Sequence, residues 1–351
     1  MDYAIIPIIE TARRCGINTG ANSSRAEIEV NCPFCHDRKK HMSLNTVKDV
    51  FRCNRCGVSG NSVTLYAKIM NIDTKTAYKE LSGGGITRIP VLNRKDKPHP
   101  HEIKPLLERH NVYHDMLYLL KLSVKHRNDL ISRGMNGGVI ERNMYRSMPD
   151  KGTKIYSVLA YELSKRHDLL GVPGFYYEYG KWRFTHKNGL LIPILDKDGY
   201  IQGLQIRLDD ETRRKYRWFS SNHYEYGTSA VPWIHVADRD NNGIAYVTEG
   251  ALKADAASYL MGGGCIIAVS GVNCINGLTG VLADIGITQV MEAFDMDKKT
   301  NPNVANAVER FKQDIIAAGF RLQNMTWDSR YNGIDEYYKA MYMRQNGINA
   351  A

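Results

Sequence analysis

Two cysteine pairs, Cys32-Pro33-Phe34-Cys35 and Cys53-Asn54-Arg55-Cys56, flank one polar stretch of the chain, residues 36–52. A Cys-x-x-Cys turn sets two thiolates on the same side of a tight loop, and two such turns close a tetrahedral shell around zinc. Gly57 and Gly60 supply turn residues just past the second pair. His36 and His41 lie near the first pair and offer a replacement for Cys35, although thiolate comes at the better spacing. Two disulfides or a redox pair fit less well, because no apolar signal segment precedes the cysteines. Cys15, Cys265 and Cys274 stand singly in apolar surroundings and read as small core residues. The second chemical signal is acidic: Glu249 follows one apolar run, and Asp295-Met296-Asp297 follows another.

The elements that must hold these groups can be read from periodicity. Residues 6–15 have helical spacing, 27–30 alternate like a strand, 42–45 and 50–52 read as two more strands, and 63–70 return to a helical period. Residues 1–82 are therefore expected to form one zinc-centred ribbon unit. Gly83-Gly84-Gly85 opens a segment with Pro90, Pro98, Pro100 and Pro105 among Arg94, Lys95, Asp96 and Lys97, which predicts a mobile linker over 83–109. Residues 114–148 predict two or three short helices. Runs 190–195 and 200–208 read as strands joined by Asp196-Lys197-Asp198-Gly199, a strong hairpin signal. In the last third, apolar runs 244–247, 265–269, 290–294 and 322–327 alternate with helical stretches, as in a parallel, doubly wound sheet. The fold class is thus multidomain, part α/β and part α+β. Glu249, Asp295 and Asp297 fall at carboxyl ends of two strands, where open parallel sheets bind ligands.

The chain has 351 residues, 43% of them hydrophobic, enough for two or three ordinary cores. A net charge of +10 and a pI near 9.1 favour polyanionic partners but do not choose between nucleic acid and an anionic membrane surface. No apolar run approaches a membrane span, so the expectation is a cytoplasmic protein without a membrane partner. Arg207, Lys215 and Arg217, interleaved with Tyr216 and Trp218, offer charge for a phosphate backbone and aromatic faces for unpaired bases. Lys253 is placed to meet a phosphate near Glu249 or to pair near Asp255, and Arg38, Lys39, Lys40, Arg52 and Arg55 add charge to the ribbon.

Ordered along the chain, these segments resemble the bacterial and phage DnaG-type primases, which join an N-terminal zinc ribbon to a catalytic core containing a TOPRIM domain. Cys32-Pro33-Phe34, Phe51 to Gly57 and Ser59-Gly60-Asn61 are similar to the primase ribbon. Asn188 to Ile194, Asp198-Gly199, Gly203 to Arg207 and Lys215-Tyr216 are similar to the basic half of the core. Val247-Thr248-Glu249-Gly250 and Phe294-Asp295-Met296-Asp297 are similar to the two TOPRIM acidic motifs. The resemblance spans about residues 5–82 and 110–340, and the order ribbon, basic region, TOPRIM is its specific part.

The resemblance implies a zinc-ribbon domain over 1–82, a mixed α+β basic subdomain over 110–236 and a Rossmann-like TOPRIM sheet over 237–351. It implies RNA primer synthesis on single-stranded DNA from nucleoside triphosphates, with structural Zn²⁺ on the four cysteines, catalytic Mg²⁺ or Mn²⁺ on Glu249, Asp295 and Asp297, and a replicative helicase among the candidate partners. Arg207, Lys215, Tyr216, Arg217 and Lys253 would hold template or nucleotide. The chain departs from the family at Cys35, where bacterial primases commonly carry histidine, and at Lys253, where an aspartate often follows the TOPRIM glutamate by four residues. Its downstream acidic motif is reduced to Asp328 and Gly333-Ile334-Asp335, and it has no Walker-type phosphate loop, which matches a compact primase of a phage or mobile element. Two other readings use the same residues: a TOPRIM nuclease, and a non-catalytic single-strand-binding module of replication initiation.

Overall fold

The computed structural model describes residues 6–20, 25–35, 37–83, 102–210, 215–238 and 242–347. His36, the side chain of Arg38 and residues 84–101 of the expected linker lie outside the described residues. The chain divides into two compact units, Met1–Lys95 and Asp96–Ala351.

In the first unit, α1 (Ile8–Arg14) precedes an antiparallel sheet of β1 (Glu27–Cys32), β2 (Asp37–Asn45), β3 (Val50–Cys53) and β4 (Ser59–Asn61), paired in chain order. Helices α2 (Ser62–Met70) and α3 (Thr74–Gly83) follow. Asn61 caps α2 by accepting from the Thr64 amide at 2.9 Å, and Asn71 ends it in the left-handed region at φ 54°. Ile8, Val30, Met42, Leu44, Phe51 and Leu65 are fully buried, so the unit has an apolar core beside its cysteines.

The second unit opens with α4 (Leu106–Leu119), α5 (Val124–Ser132) and α6 (Gly137–Arg142), so ordered helix begins inside the stretch 83–109 that composition assigned to a linker. Next come β5 (Arg146–Ser147), α7 (Lys154–Ser164), the hairpin β6 (Phe175–Glu178) and β7 (Lys181–Phe184), β8 (Gly189–Leu195), β9 (Ile201–Leu208) and β10 (Tyr216–Trp218). Strands β10-β9-β8-β5 form an antiparallel sheet. The β8–β9 turn is held by Asp196, whose carboxylate accepts from the Asp198 and Tyr200 amides at 2.9 and 2.8 Å, with Gly199 at φ 82°.

The last part contains β11 (His235–Val236), β12 (Ile244–Glu249), α8 (Ala251–Met261), β13 (Cys265–Val269), α9 (Leu278–Ile285), β14 (Gln289–Glu292), a 3₁₀ turn over Met296–Lys299, α10 (Pro302–Ala317), β15 (Arg321–Asn324) and α11 (Ile334–Gln345). The sheet runs β11-β13-β12-β14-β15, parallel except for β11. Every residue of β13 is buried, as expected of a central parallel strand covered on both faces. From β12 the chain goes to β13 on one side and later to β14 on the other, which makes the β12/β14 edge the switch point of the sheet. Leu190, Ile192 and Ile194 of β8 share a core with Ala251, Leu252 and Ala256 of α8. Each large apolar side chain there contributes about 1.5–3 kcal/mol and ties the basic sheet to the parallel one.

Candidate active site

The four ribbon cysteines converge. Cys32 Sγ lies 3.7 Å from Cys56 Sγ and Cys35 Sγ lies 3.9 Å from Cys53 Sγ, and all four sulfurs fall within 4.8 Å of one another. A tetrahedral zinc site with Zn–S bonds of about 2.3 Å has edges of about 3.8 Å, so the quartet fits structural Zn²⁺. Burial pushes the Cys32 thiol up, and the neighbouring Cys35 and Cys53 thiols add to that crowding. His41 is exposed and stands outside the quartet. Of the lone cysteines, Cys265 is a buried core residue as expected, whereas Cys15 is half-buried against the ribbon core and Cys274 is half-buried without belonging to a core cluster.

At the switch point, β12 ends on Glu249, and Gly250 turns the chain at φ 82° into α8. The half-buried Glu249 carboxyl accepts from the Val272 amide, and burial, then Asp295 and Asp297, push it up to about 7 against the opposing pull of Lys253. Strand β14 ends on Glu292, a buried acid that accepts from the Phe294 amide at 2.9 Å and from Lys298 Nζ at 2.7 Å. Lys298 also reaches the Met325 carbonyl and lies over the Trp327 ring. This buried clamp positions the loop that carries Asp295 and Asp297.

Asp295 Oδ2 accepts from Lys253 Nζ and, at 3.0 Å, from Asn332 Nδ2, while its other oxygen is buried and accepts no hydrogen bond. Asp335, buried in the first turn of α11, has one similarly unsatisfied oxygen, and its other oxygen lies 3.5 Å from Arg133 Nη1. Burial raises Asp335 and Asp297 above the usual carboxylate range. Burial pulls the Lys253 ammonium down, but Asp295, Asp335 and Glu249 together hold it above its ordinary value. Gly333 makes the close approach feasible: a Cβ there would lie 2.6 Å from Asp335 Oδ1, 3.3 Å from Lys253 Cδ and 3.4 Å from Asp295 Oδ1.

The structure thus gathers Glu249, Asp295, Asp297, Lys253 and Asp335 into one cluster, with Asp297 exposed to solvent. Among the described residues, however, the ribbon cysteines form the only group of three or more candidate ligands with atoms all within 4.8 Å. The carboxylates crowd one another electrostatically without forming a closed cage, and Lys253 contacts Asp295 among them. Two buried carboxylate oxygens without hydrogens to accept, in a cradle that a single Cβ would fill, are a donor set that fits a hard divalent cation.

Asp328, the other remnant of the downstream acidic motif, is exposed and paired with Arg330 at 2.6 Å, apart from this cluster. Asp255 is not a site residue either. It is buried, accepting from Tyr145 and from His235 Nε2 at 3.0 Å, while His235 Nδ1 accepts the Leu195 amide at 3.0 Å. Lys253 therefore pairs with Asp295 rather than in the neighbourhood of Asp255.

The basic residues separate into layers. Arg207 is mostly buried and donates to Asp129 at 2.6 Å; Arg133 bridges Asp129 at 3.4 Å and Asp335. Alternating charges thus run from β9 through Asp129, Arg133 and Asp335 to Lys253 and Asp295. Tyr216 pairs with Arg207 in register, its hydroxyl lies in the field of Arg133, Arg207 and Lys253, and about a third of the residue stays exposed. Lys215 and Arg217 are exposed, and strand alternation turns them away from the face of Tyr216. Trp218, on the Tyr216 face, packs edge-on against Trp233 in the core instead of offering a free ring to a base. In the ribbon, Lys39, Lys40, Arg52 and Arg55 are exposed.

Comparison with known proteins gives two family matches, a CHC2 zinc finger over residues 21–96 and a domain of unknown function, DUF3854, over 233–342, the stretch that holds the acidic cluster. The DNA primase of Geobacillus stearothermophilus is 26% identical over 198 residues, covering 53% of this chain and 32% of the relative. The DNA primase of Mycoplasma genitalium is 22% identical over 349 residues, covering 88% and 53%. The chain is a relative of the DnaG-type primases. It spans about a third to a half of the length of these curated relatives. The fold agrees with that of the Aquifex aeolicus primase zinc-binding and RNA polymerase domains, with TM-score 0.54 and 16% identity over 97% of this chain and 82% of that one. It also agrees with the RNA polymerase domain of the Mycobacterium tuberculosis primase, solved with a double-stranded DNA oligomer bearing a 6-nucleotide overhang, at TM-score 0.53 and 16% identity over 72% and 81%. Among the described residues, no helix of this primase relative is long and apolar enough to cross a membrane.

Proposed function

We propose that the chain is a DNA primase that joins ribonucleotides into short primers on single-stranded DNA. The observation that carries this reading is the set of carboxylates on the β12/β14 switch point of a primase-like core. In the reaction, a 3′-hydroxyl attacks the α-phosphate of an incoming nucleoside triphosphate and pyrophosphate leaves. Asp295 and Asp297, with Glu249, would hold Mg²⁺ or Mn²⁺, which supplies charge neutralisation for the triphosphate. If it stays off the metal, Glu249, pushed up to about 7, is instead suited to take the hydroxyl proton near neutral pH. The exposed part of Tyr216 would contact a template base on the face toward Lys253, while Lys215 and Arg217 would meet backbone phosphates from the other face of β10; Arg207, already engaged by Asp129, would act by positioning Tyr216.

The test is incorporation of labelled ribonucleotides on single-stranded DNA with Mg²⁺. Glu249→Gln should lower it at least about 100-fold while template binding is unchanged. A variant as active as the parent would overturn the assignment. The seat of Lys253 on Asp295 favours a second reading, a non-catalytic single-strand-binding module, in which salt-sensitive DNA binding persists and no product forms. Strand cutting without nucleotide addition would instead indicate a nuclease.

A further inference from the structure

Lys253 stands in the first turn of α8, where the positive end of the helix dipole favours acidic side chains. Local helix energetics therefore do not explain a lysine at this position. Its tertiary surroundings do: the ammonium contacts Asp295 Oδ2 and faces Asp335 and Glu249, and its stem runs past Gly333, where any Cβ would crowd it. Glu249, Asp295, Asp297 and Asp335 bring four carboxyl groups together, against which Lys253 and Arg133 set two fixed cations. Asp129 is balanced by Arg207, and Glu336 beside Asp335 is exposed to solvent. Carboxyl groups thus outnumber fixed cations, and the cluster is left able to take further positive charge.

Resting on the metal-dependent reading above, we infer that Lys253 is the resident cation of this cluster, seated where a second divalent ion would otherwise bind, so that the site takes a single Mg²⁺ or Mn²⁺. Lys253 is in this respect a positioning residue. It keeps Asp295 oriented through Oδ2 and leaves Oδ1, which accepts nothing from the protein, for the one metal. A fixed ammonium also spares the site the electrostatic cost of bare carboxylates before nucleotide arrives.

The experiment counts bound Mn²⁺ by electron paramagnetic resonance of the free aquo ion, using the zinc-loaded full chain without nucleotide. The parent and Lys253→Arg should bind about one ion per chain, and Lys253→Asp about two. If Lys253→Asp fails to fold by tryptophan fluorescence, Lys253→Gln is counted with the same expectation. Two ions in the parent, or one in both Lys253→Asp and Lys253→Gln, would overturn the inference. No ion in any form would overturn the metal reading along with it. The two claims fail separately: primers made by a parent that binds two ions refute only the role of Lys253, whereas the expected counts without any primer refute only the proposed reaction.

Discussion

Replacing Glu249 by glutamine should stabilise the second unit above neutral pH while removing activity. The folded carboxyl titrates at about 7, against an ordinary 4.5, chiefly because of burial and secondarily because of Asp295 and Asp297. Between those values the unfolded chain gives up its proton and the folded chain keeps it. Stability therefore falls as pH rises through this window, and the penalty is fully present above about pH 8. At about 1.4 kcal/mol per pH unit the gap is worth roughly 3 kcal/mol, and residual solvent at this half-buried site lowers the expectation to about 2 kcal/mol. Glutamine retains the oxygen that accepts the Val272 amide and carries no charge. The variant should thus exceed the parent by about 2 kcal/mol at pH 8, with the difference vanishing near pH 4.5. Urea unfolding read by tryptophan fluorescence isolates the effect, since Trp182, Trp218, Trp233 and Trp327 all lie in the second unit. Added Mg²⁺ should close the gap by binding the folded parent. Equal pH slopes for parent and variant would refute the electrostatic reasoning.

Other consequences follow from the same contacts. Gly333→Ala keeps an ordinary backbone conformation at φ −110°, yet its Cβ meets Asp335 Oδ1 at 2.6 Å; we expect about 1–3 kcal/mol of destabilisation and a large fall in activity, measured by melting and primer synthesis. Asp255→Ala strips partners from buried His235 and Tyr145 and should cost about 2–4 kcal/mol by urea unfolding, far more than an exposed acid such as Asp328. Cys53→Ser should abolish stoichiometric zinc, read by a colorimetric chelator, and unfold the first unit while the tryptophan signal of the second stays native.

Much of the architecture is legible from local pattern. Cysteine spacing marks the zinc quartet because each knuckle is a local turn, and the apolar runs of β12, β13 and β14 mark a parallel sheet because both faces must be covered. The Asp-Gly turn between β8 and β9 works through contacts four residues apart. Runs at the sheet edge are less clear: the last strand was expected over 322–327, but it ends at Asn324, where its partner β14 also ends. The helix α7 carries a helical apolar period in Ile155, Leu159 and Leu163 that the expectations above did not use, the hairpin β6–β7 is short, and β11 is two residues long and paired with β13.

The acidic site was legible only in part, for a physical reason. Glu249, Asp295 and Asp297 sit where strand-end logic puts them, but Asp335 and Arg133 join the cluster through the docking of α11 and α5, contacts between residues far apart in the chain. The one sequence clue was negative: a lysine in the first turn of a helix, where the dipole disfavours it, next to a motif otherwise built from acids. Arg207 and Trp218 illustrate the converse. Their types suit nucleic-acid contact, but Asp129 and Trp233 claim them.

Sequencing the products formed from ribonucleotides on a defined single-stranded DNA template, with the zinc-loaded chain and Mg²⁺, tests the central claim most directly. The account predicts short RNA complementary to the template, absent with Asp295→Ala. Template fragments without added nucleotides, or intact template bound in a salt-sensitive complex with no RNA, would contradict it.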